Sequence, residues 1–149
     1  MRFSKIKQAF FTLLALCLTL SFALCVRGVN VSKLQKTQGK RIFYLHSPSA
    51  WATQTEHLKI SDILHVQGES VSFSFQGTNA QTLALVQNIL QEYQAEIVQR
   101  EYVNGIACYY AYAPYLYKGI CIDGKIVNLH IAIGQGRATV GTPMIFGGF

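Results

Sequence analysis

The chain reads as an α+β protein: an antiparallel sheet with one long amphipathic helix packed on one face, preceded by an N-terminal hydrophobic helix. Three observations predict this. Residues 9–26 form a run of eighteen residues without a single charge. Between residues 83 and 97 apolar side chains recur every three or four positions, the period of one helix face. Beyond residue 97 the period falls to two, and turn dipeptides separate the runs, as in antiparallel hairpins.

The N-terminal run comes after Arg2, Lys5 and Lys7. As a helix it would be ~27 Å long at ~1.5 Å per residue, against a hydrocarbon layer of ~30 Å. A cleaved signal peptide needs small residues just before its cut. Ala23 with Cys25, or Val26 with Gly28, stand at the −3 and −1 positions of two candidate cuts, and neither pair matches well. A signal peptide and a single-pass membrane anchor, a transmembrane helix, both stay open for residues 1–28.

Charge is divided sharply along the chain. Residues 1–41 carry eight basic side chains and no acidic one, whereas residues 42–149 carry five basic and seven acidic. The net charge of +6 and the pI near 9.3 therefore belong to the leader and to a basic tether over residues 29–41. The single domain at 42–149 is mildly acidic, so a nucleic-acid partner is not expected. Basic residues flank the apolar run on both sides, which leaves two orientations. Export of the domain, to the outer side of the cell membrane or into the medium, is preferred because the cluster before the run is tighter. A cytoplasmic domain on a reversed anchor is the alternative. The tether's charges suit either anionic headgroups or plain solvent.

Within the domain, residues 41–45 read as a strand ended by Ser47-Pro48-Ser49. Residues 53–66 fit neither period and are assigned a short helix. Val71, Phe73 and Phe75 alternate with serines, the pattern of a half-buried strand. Gly77 ends it, and Thr78 with Gln81 has the spacing of a capping box. The helix opened there presents Leu83, Val86, Leu90, Tyr93 and Ile97 as one stripe, with Gln87, Gln91, Glu92 and Gln94 opposite. A single stripe must cover an apolar face, here a sheet that places Val71, Phe73 and Phe75 beneath it.

Strands over residues 97–102 and 106–112 flank Asn104-Gly105, a pair that favours a type I′ turn and sets Val103 opposite Ile106. Asp123-Gly124 opens a further strand over residues 125–133, with Val127, Leu129, Ile131 and Ile133 on one face. The last strand, residues 138–145, contains Gly141 and Pro143. Proline donates no ladder bond, so this strand belongs at an edge or bends there.

No metal, cofactor or catalytic site emerges from these residues. His46, His57, His65 and His130 are scattered, and His130 alternates with apolar neighbours as an exposed strand residue would. Neither Cys108 nor Cys121 has a histidine beside it to make a thiolate. The two either close a disulfide, worth roughly 3 kcal/mol in the chain-entropy model, or remain free thiols. Glu92 and Glu96 lie four apart on a polar helix face and read as two solvated charges. The stretch YYAYAPYLY at 109–117 is the one local feature that invites binding. Tyr112, Tyr115 and Tyr117 form a candidate interaction surface, the alternative being tyrosines packed under the helix and around Pro114.

Three further landmarks occur in order: LQEYQAEIV at 90–98, VNLHIAI at 127–133 and the closing TVGTPMIFGGF at 139–149. With AYAPYL at 111–116, they make residues 69–149 resemble the C-terminal half of the YwmB family of exported bacterial proteins. The resemblance implies a TATA-box-binding-protein-like fold, in which the antiparallel sheet is curved and backed by helices. It implies no catalytic residue, and the fold label speaks of shape alone. Residues 41–68 stand where that family has a longer N-terminal half.

The leader and the lack of a site favour a non-enzymatic, envelope-associated accessory or binding protein. It would act on an unknown protein or cell-wall partner, with the membrane engaged through the N-terminal segment. A hydrolase of envelope polymers would need a carboxylate pair or an activated nucleophile. A DNA-binding protein of that fold would need a basic sheet face.

Overall fold

The computed structural model describes residues 2–29, 31–47 and 52–146. Two compact units emerge, Met1–Val31 and Ser32–Phe149. The first holds one helix, α1 (Arg2–Val29), whose side chains are described from Lys7 to Ala23. There Phe10, Phe11, Leu13, Leu14, Leu16, Leu18, Leu20 and Phe22 are all exposed, so apolar groups ring the helix instead of forming a stripe. Both of its threonine hydroxyls are satisfied internally: Thr12 Oγ1 donates to Ala9 O at 2.9 Å and Thr19 Oγ1 to Leu16 O at 2.9 Å. The apolar run at 9–26 lies partly outside the described side chains. Among the described residues no helix is long and apolar enough to cross a membrane.

The second unit supplies β1 (Lys40–Leu45), β2 (Thr53–Thr55), β3 (Val66–Ser74), α2 (Asn79–Glu92), β4 (Glu96–Val103) and β5 (Ile106–Tyr112). After these come β6 (Ile120–Ile122), β7 (Lys125–Val127), β8 (Leu129–Gly134) and β9 (Arg137–Thr142). Among the described residues seven strands form one sheet, in the order β2-β1-β3-β9-β8-β5-β4, while β6 and β7 pair as a separate ribbon. Every pairing is antiparallel. Three strands lie between β3 and β4, so α2, which joins them, must cross one face of the sheet. The expected α+β arrangement holds at this level.

Burial results from that crossing. Val86, Ile89 and Tyr93 of α2 pack with Val71, Tyr109, Ala111, Leu129, Ile131 and Val140 of the sheet. Phe73, Phe75, Leu85 and Leu90 close the margins of this core, half-buried. The expected stripe is thus shifted: Leu83 is 48% exposed and Ile89 takes its place. Ile97 belongs to β4, because the helix stops at Glu92.

The capping box forms as expected. Gln81 N donates to Thr78 Oγ1 at 3.3 Å, and Thr78 N to Gln81 Oε1 at 2.8 Å. At the other end Gln94 takes φ +50°. Gln94 N then reaches Gln91 O at 3.2 Å and Ala95 N reaches Leu90 O at 2.8 Å, a Schellman closure. Glycine usually marks such a stop, and a glutamine there hides it from the sequence.

Asn104 and Gly105 take φ values of +50° and +82°, with Val103 opposite Ile106, Tyr102 opposite Ala107 and Glu101 opposite Cys108. The predicted register therefore stands. Asp123-Gly124 and Gln135-Gly136 make the same kind of turn, at +48° and +77° and at +52° and +77°.

Several expectations are corrected. The long strand over 125–133 is broken at Asn128, which separates β7 from β8. Residues 53–66 hold β2 and a short 3-10 turn at Ile60–Asp62, not a helix proper. The Ser47-Pro48-Ser49 turn lies mostly outside the described residues. β9 is central, between β3 and β8, not at an edge. The proline rule did not apply to it, because the strand ends at Thr142 and Pro143 takes no ladder position.

The stretch taken for a tether is also part of the domain from Ser32 onward. Leu34 is fully buried in the core, and Thr37 shares a hydrogen bond with the Tyr93 hydroxyl at 2.7 Å. The holdfast is Glu69 on β3, itself fully buried. Its carboxylate accepts from Ser32 Oγ at 2.8 Å, from Leu34 N at 2.9 Å and from Lys33 N. The polarity that suggests a solvated linker is thus largely engaged within the domain, with Glu69, Tyr93 and Glu92 O as partners.

Candidate functional site

A groove opens where one end of the sheet meets the start of α2. Three segments build it: residues 75–82 leaving β3, the Asn104-Gly105 hairpin, and the Gln135-Gly136 turn. Each is placed by local chemistry already described, two type I′ turns and a capped helix start. The cavity has a volume of about 430 Å³. That is near the lower end of the ~300–1,000 Å³ typical of small-molecule sites. Its floor is Phe75, Ala107 and Ile133, and its rim carries Gln76, Asn79, Thr82 and Gln135. Tyr102 stands on one wall with 74% of its surface exposed.

Two properties define what this groove can do. No carboxylate, imidazole, thiol, amine or guanidinium lines it. Among the described residues, no hydrogen bond within the protein engages the side-chain amides of Gln76, Asn79 or Gln135. Each amide offers both a donor and an acceptor, so the rim presents neutral, paired hydrogen-bonding groups above an apolar floor. Such a lining can hold a ligand through neutral hydrogen bonds. It has no group to move a proton near neutral pH.

The sheet face turned away from α2 carries one group of ionisable side chains. Val103, Glu101 and Gln99 of β4 share it with Cys108 and Tyr110 of β5 and His130 of β8. The Tyr110 hydroxyl donates to Glu101 Oε1, and the Tyr110 ring stacks on His130 at 4.5 Å between centroids. His130 was expected to be exposed, yet it is only 5% so. The chain beyond β9 explains part of this: Ile145 lies directly over Gly141, the β9 partner of His130. Phe146 continues across the same face, edge-on to Tyr44 with centroids 5.1 Å apart.

Neither ring nitrogen of His130 has a hydrogen-bond partner. Burial drives its pKa down to about 4, against a smaller upward pull from Glu101. Burial likewise raises the Cys108 thiol, and the Glu101 charge raises it further, so Cys108 is held as a thiol. Tyr110 is raised by burial first and then by donating to Glu101. A neutral imidazole and a protonated thiol on one sheet face make a packed arrangement, not an activated nucleophile.

The residues singled out from sequence separate. Tyr112 and Tyr115 are exposed, on β5 and the loop after it. Tyr117 is half-buried, and its hydroxyl is raised by burial and then by the charge of Glu69. The three therefore do not make one exposed surface. Asn128 organises this loop: its Oδ1 accepts from Ala113 N at 2.7 Å, while Nδ2 donates to Ala113 O at 2.6 Å and Tyr117 O at 3.2 Å.

Cys108 and Cys121 are both free, the first buried in the main sheet and the second exposed on β6, so the disulfide alternative is not formed. Among the described residues no group of three or more His, Cys, Asp or Glu side chains converges to hold a metal. The groove is not legible in the sequence because its parts lie up to 61 positions apart and each reads as an ordinary turn. No family model, curated protein or solved structure matches the chain.

Proposed function

We propose that this chain is an envelope-associated binding protein, brought to the membrane by α1 and acting on the outer side without covalent chemistry. The observation that carries the proposal is α1 itself. Among the described side chains of residues 9–23, apolar groups lie on every side, the threonine hydroxyls are satisfied internally, and the chain has no charge between residues 9 and 26. A helix of that kind has no use for water around it. Basic residues in front of the run favour retention of that end in the cytoplasm and export of the domain on its C-terminal side.

The binding role is supported by the engagement of two acids on the central sheet. Glu69 is spent on the strap at residues 32–34, and Glu101 accepts from Tyr110. The neutral groove is left open. The resemblance of residues 69–149 to the exported YwmB family points the same way, and would add curvature to the sheet.

Fractionation tests this reading. The full chain produced in a bacterium should sediment with membranes through high-salt and alkaline washes, or appear shortened in the medium. Full-length protein in the soluble cytoplasm would overturn it.

A further inference from the structure

The groove between the Asn104-Gly105 and Gln135-Gly136 turns has a chemistry that selects its ligand. The lining bears no ionic group, so it offers no counter-charge to a phosphate, a carboxylate or a cation. The rim amides of Gln76, Asn79 and Gln135 each pair a donor with an acceptor. Their best complement is a group that returns both, an acetamide above all, whose methyl would rest on the apolar floor of Ala107 and Ile133. Tyr102 presents an exposed ring to one side of the opening, with an apolar face and a polar tip. Sugar rings offer the counterpart: one apolar C–H face and hydroxyls around the edge.

We infer that this groove binds a neutral, N-acetylated glycan, seating a short stretch of it. The inference rests on the binding reading given above and names its ligand class. An extended peptide is the competing class, and the geometry disfavours it. The groove sits at strand ends, where turns close the backbone ladders, so it offers side chains and not a free edge. The free edge of the sheet on that side, β4, carries Glu96, Arg100 and Glu101 and a register break between Ile97 and Gln99, which discourages strand addition.

The test is calorimetric titration of the full chain in micelles of a sugar-free detergent. The probes are tetra-N-acetylchitotetraose, cellotetraose and a neutral tetrapeptide. The acetylated sugar should bind saturably and at least tenfold more tightly than either of the others. Tyr102→Ala and the pair Gln76→Ala/Asn79→Ala should each weaken it at least tenfold, while Gln87→Ala on the outer face of α2 should leave it unchanged. All these positions are exposed, and circular dichroism of each variant verifies the fold before titration. No saturation by the acetylated sugar, equal binding of cellotetraose, preference for the peptide, or indifference to Tyr102→Ala would each overturn the inference. A chain found outside the cytoplasm that fails this titration sinks the ligand class alone. A chain that binds the sugar from a cytoplasmic location sinks the envelope reading alone.

Discussion

Arg41 Nε stands 3.1 Å from Glu69 Oε2, and both side chains grip the same strap of backbone from opposite ends. Arg41 Nη2 donates to Leu34 O at 2.8 Å and to Thr37 O at 3.3 Å, while Glu69 receives the amides of Lys33 and Leu34. The buried carboxylate is tolerated because several donors surround it. The strap from Ser32 to Thr37 is thereby fastened to the centre of β3.

Removing one partner leaves the other charge uncompensated. Glu69→Ala should cost about 3–5 kcal/mol, read from the shift in urea midpoint at constant slope. A loss under about 1 kcal/mol would mean that the strap is held by Leu34 burial alone.

The shifted stripe on α2 gives a paired prediction. Ile89 is 4% exposed and Leu83 is 48% exposed. Ile89→Ala should cost about 2–5 kcal/mol, whereas Leu83→Ala should stay within about 0.5 kcal/mol. Thermal or urea unfolding of the two variants side by side checks the register of helix on sheet.

Two glycines separate backbone strain from lack of space. A Cβ on Gly105 would meet nothing within 4 Å, but its φ of +82° opposes an L side chain. Gly105→Ala should therefore cost only about 1–2 kcal/mol. A Cβ on Gly68 would sit 2.4 Å from Thr142 O, so Gly68→Ala must push β3 away from β9. The larger loss of stability belongs to Gly68→Ala. Equal midpoints for the two would contradict the placement of β9 beside β3.

Much of this fold was legible where the signal is local. Thr78 and Gln81 cap a helix because the bonds span one turn, and Asn104-Gly105 sets a register because two residues decide it. The parts that stayed hidden depend on remote contacts. Glu69 acts on residues some 35 positions earlier, so the strap looked like a solvated tether. His130 looked exposed because nothing in its own strand tells that Ile145 returns beside it. The place of β9 was misjudged because Pro143 falls one residue past the strand end.

His130 should make stability depend on pH. Its folded pKa of about 4 lies below the usual value near 6.5 in an unfolded chain. Between those values the unfolded state binds the extra proton, so stability rises with pH across this window. It is fully present above about pH 6.5 and is lost as pH falls toward about 4. Tyr110 stacks on the ring, Glu101 and Cys108 share its sheet face, and Glu101 opposes the shift by drawing the pKa upward. His130→Phe keeps a ring against Tyr110 and removes two unpartnered nitrogens, so it should stabilise the domain and flatten the pH profile. Urea midpoints at pH 7 and pH 5 for both proteins check the sign.

The proposed export puts the folded domain outside the cytoplasm, and Cys121 provides a direct handle on that location. Its thiol is free and exposed on β6, whereas Cys108 is buried. With Cys17, which is exposed on α1, and Cys25 both replaced by serine, a membrane-impermeant maleimide added to intact cells producing the chain, together with their medium, should label the protein before lysis. Cys121→Ser should abolish that labelling. Modification of Cys121 only after the cells are permeabilised would place the domain inside and contradict the account.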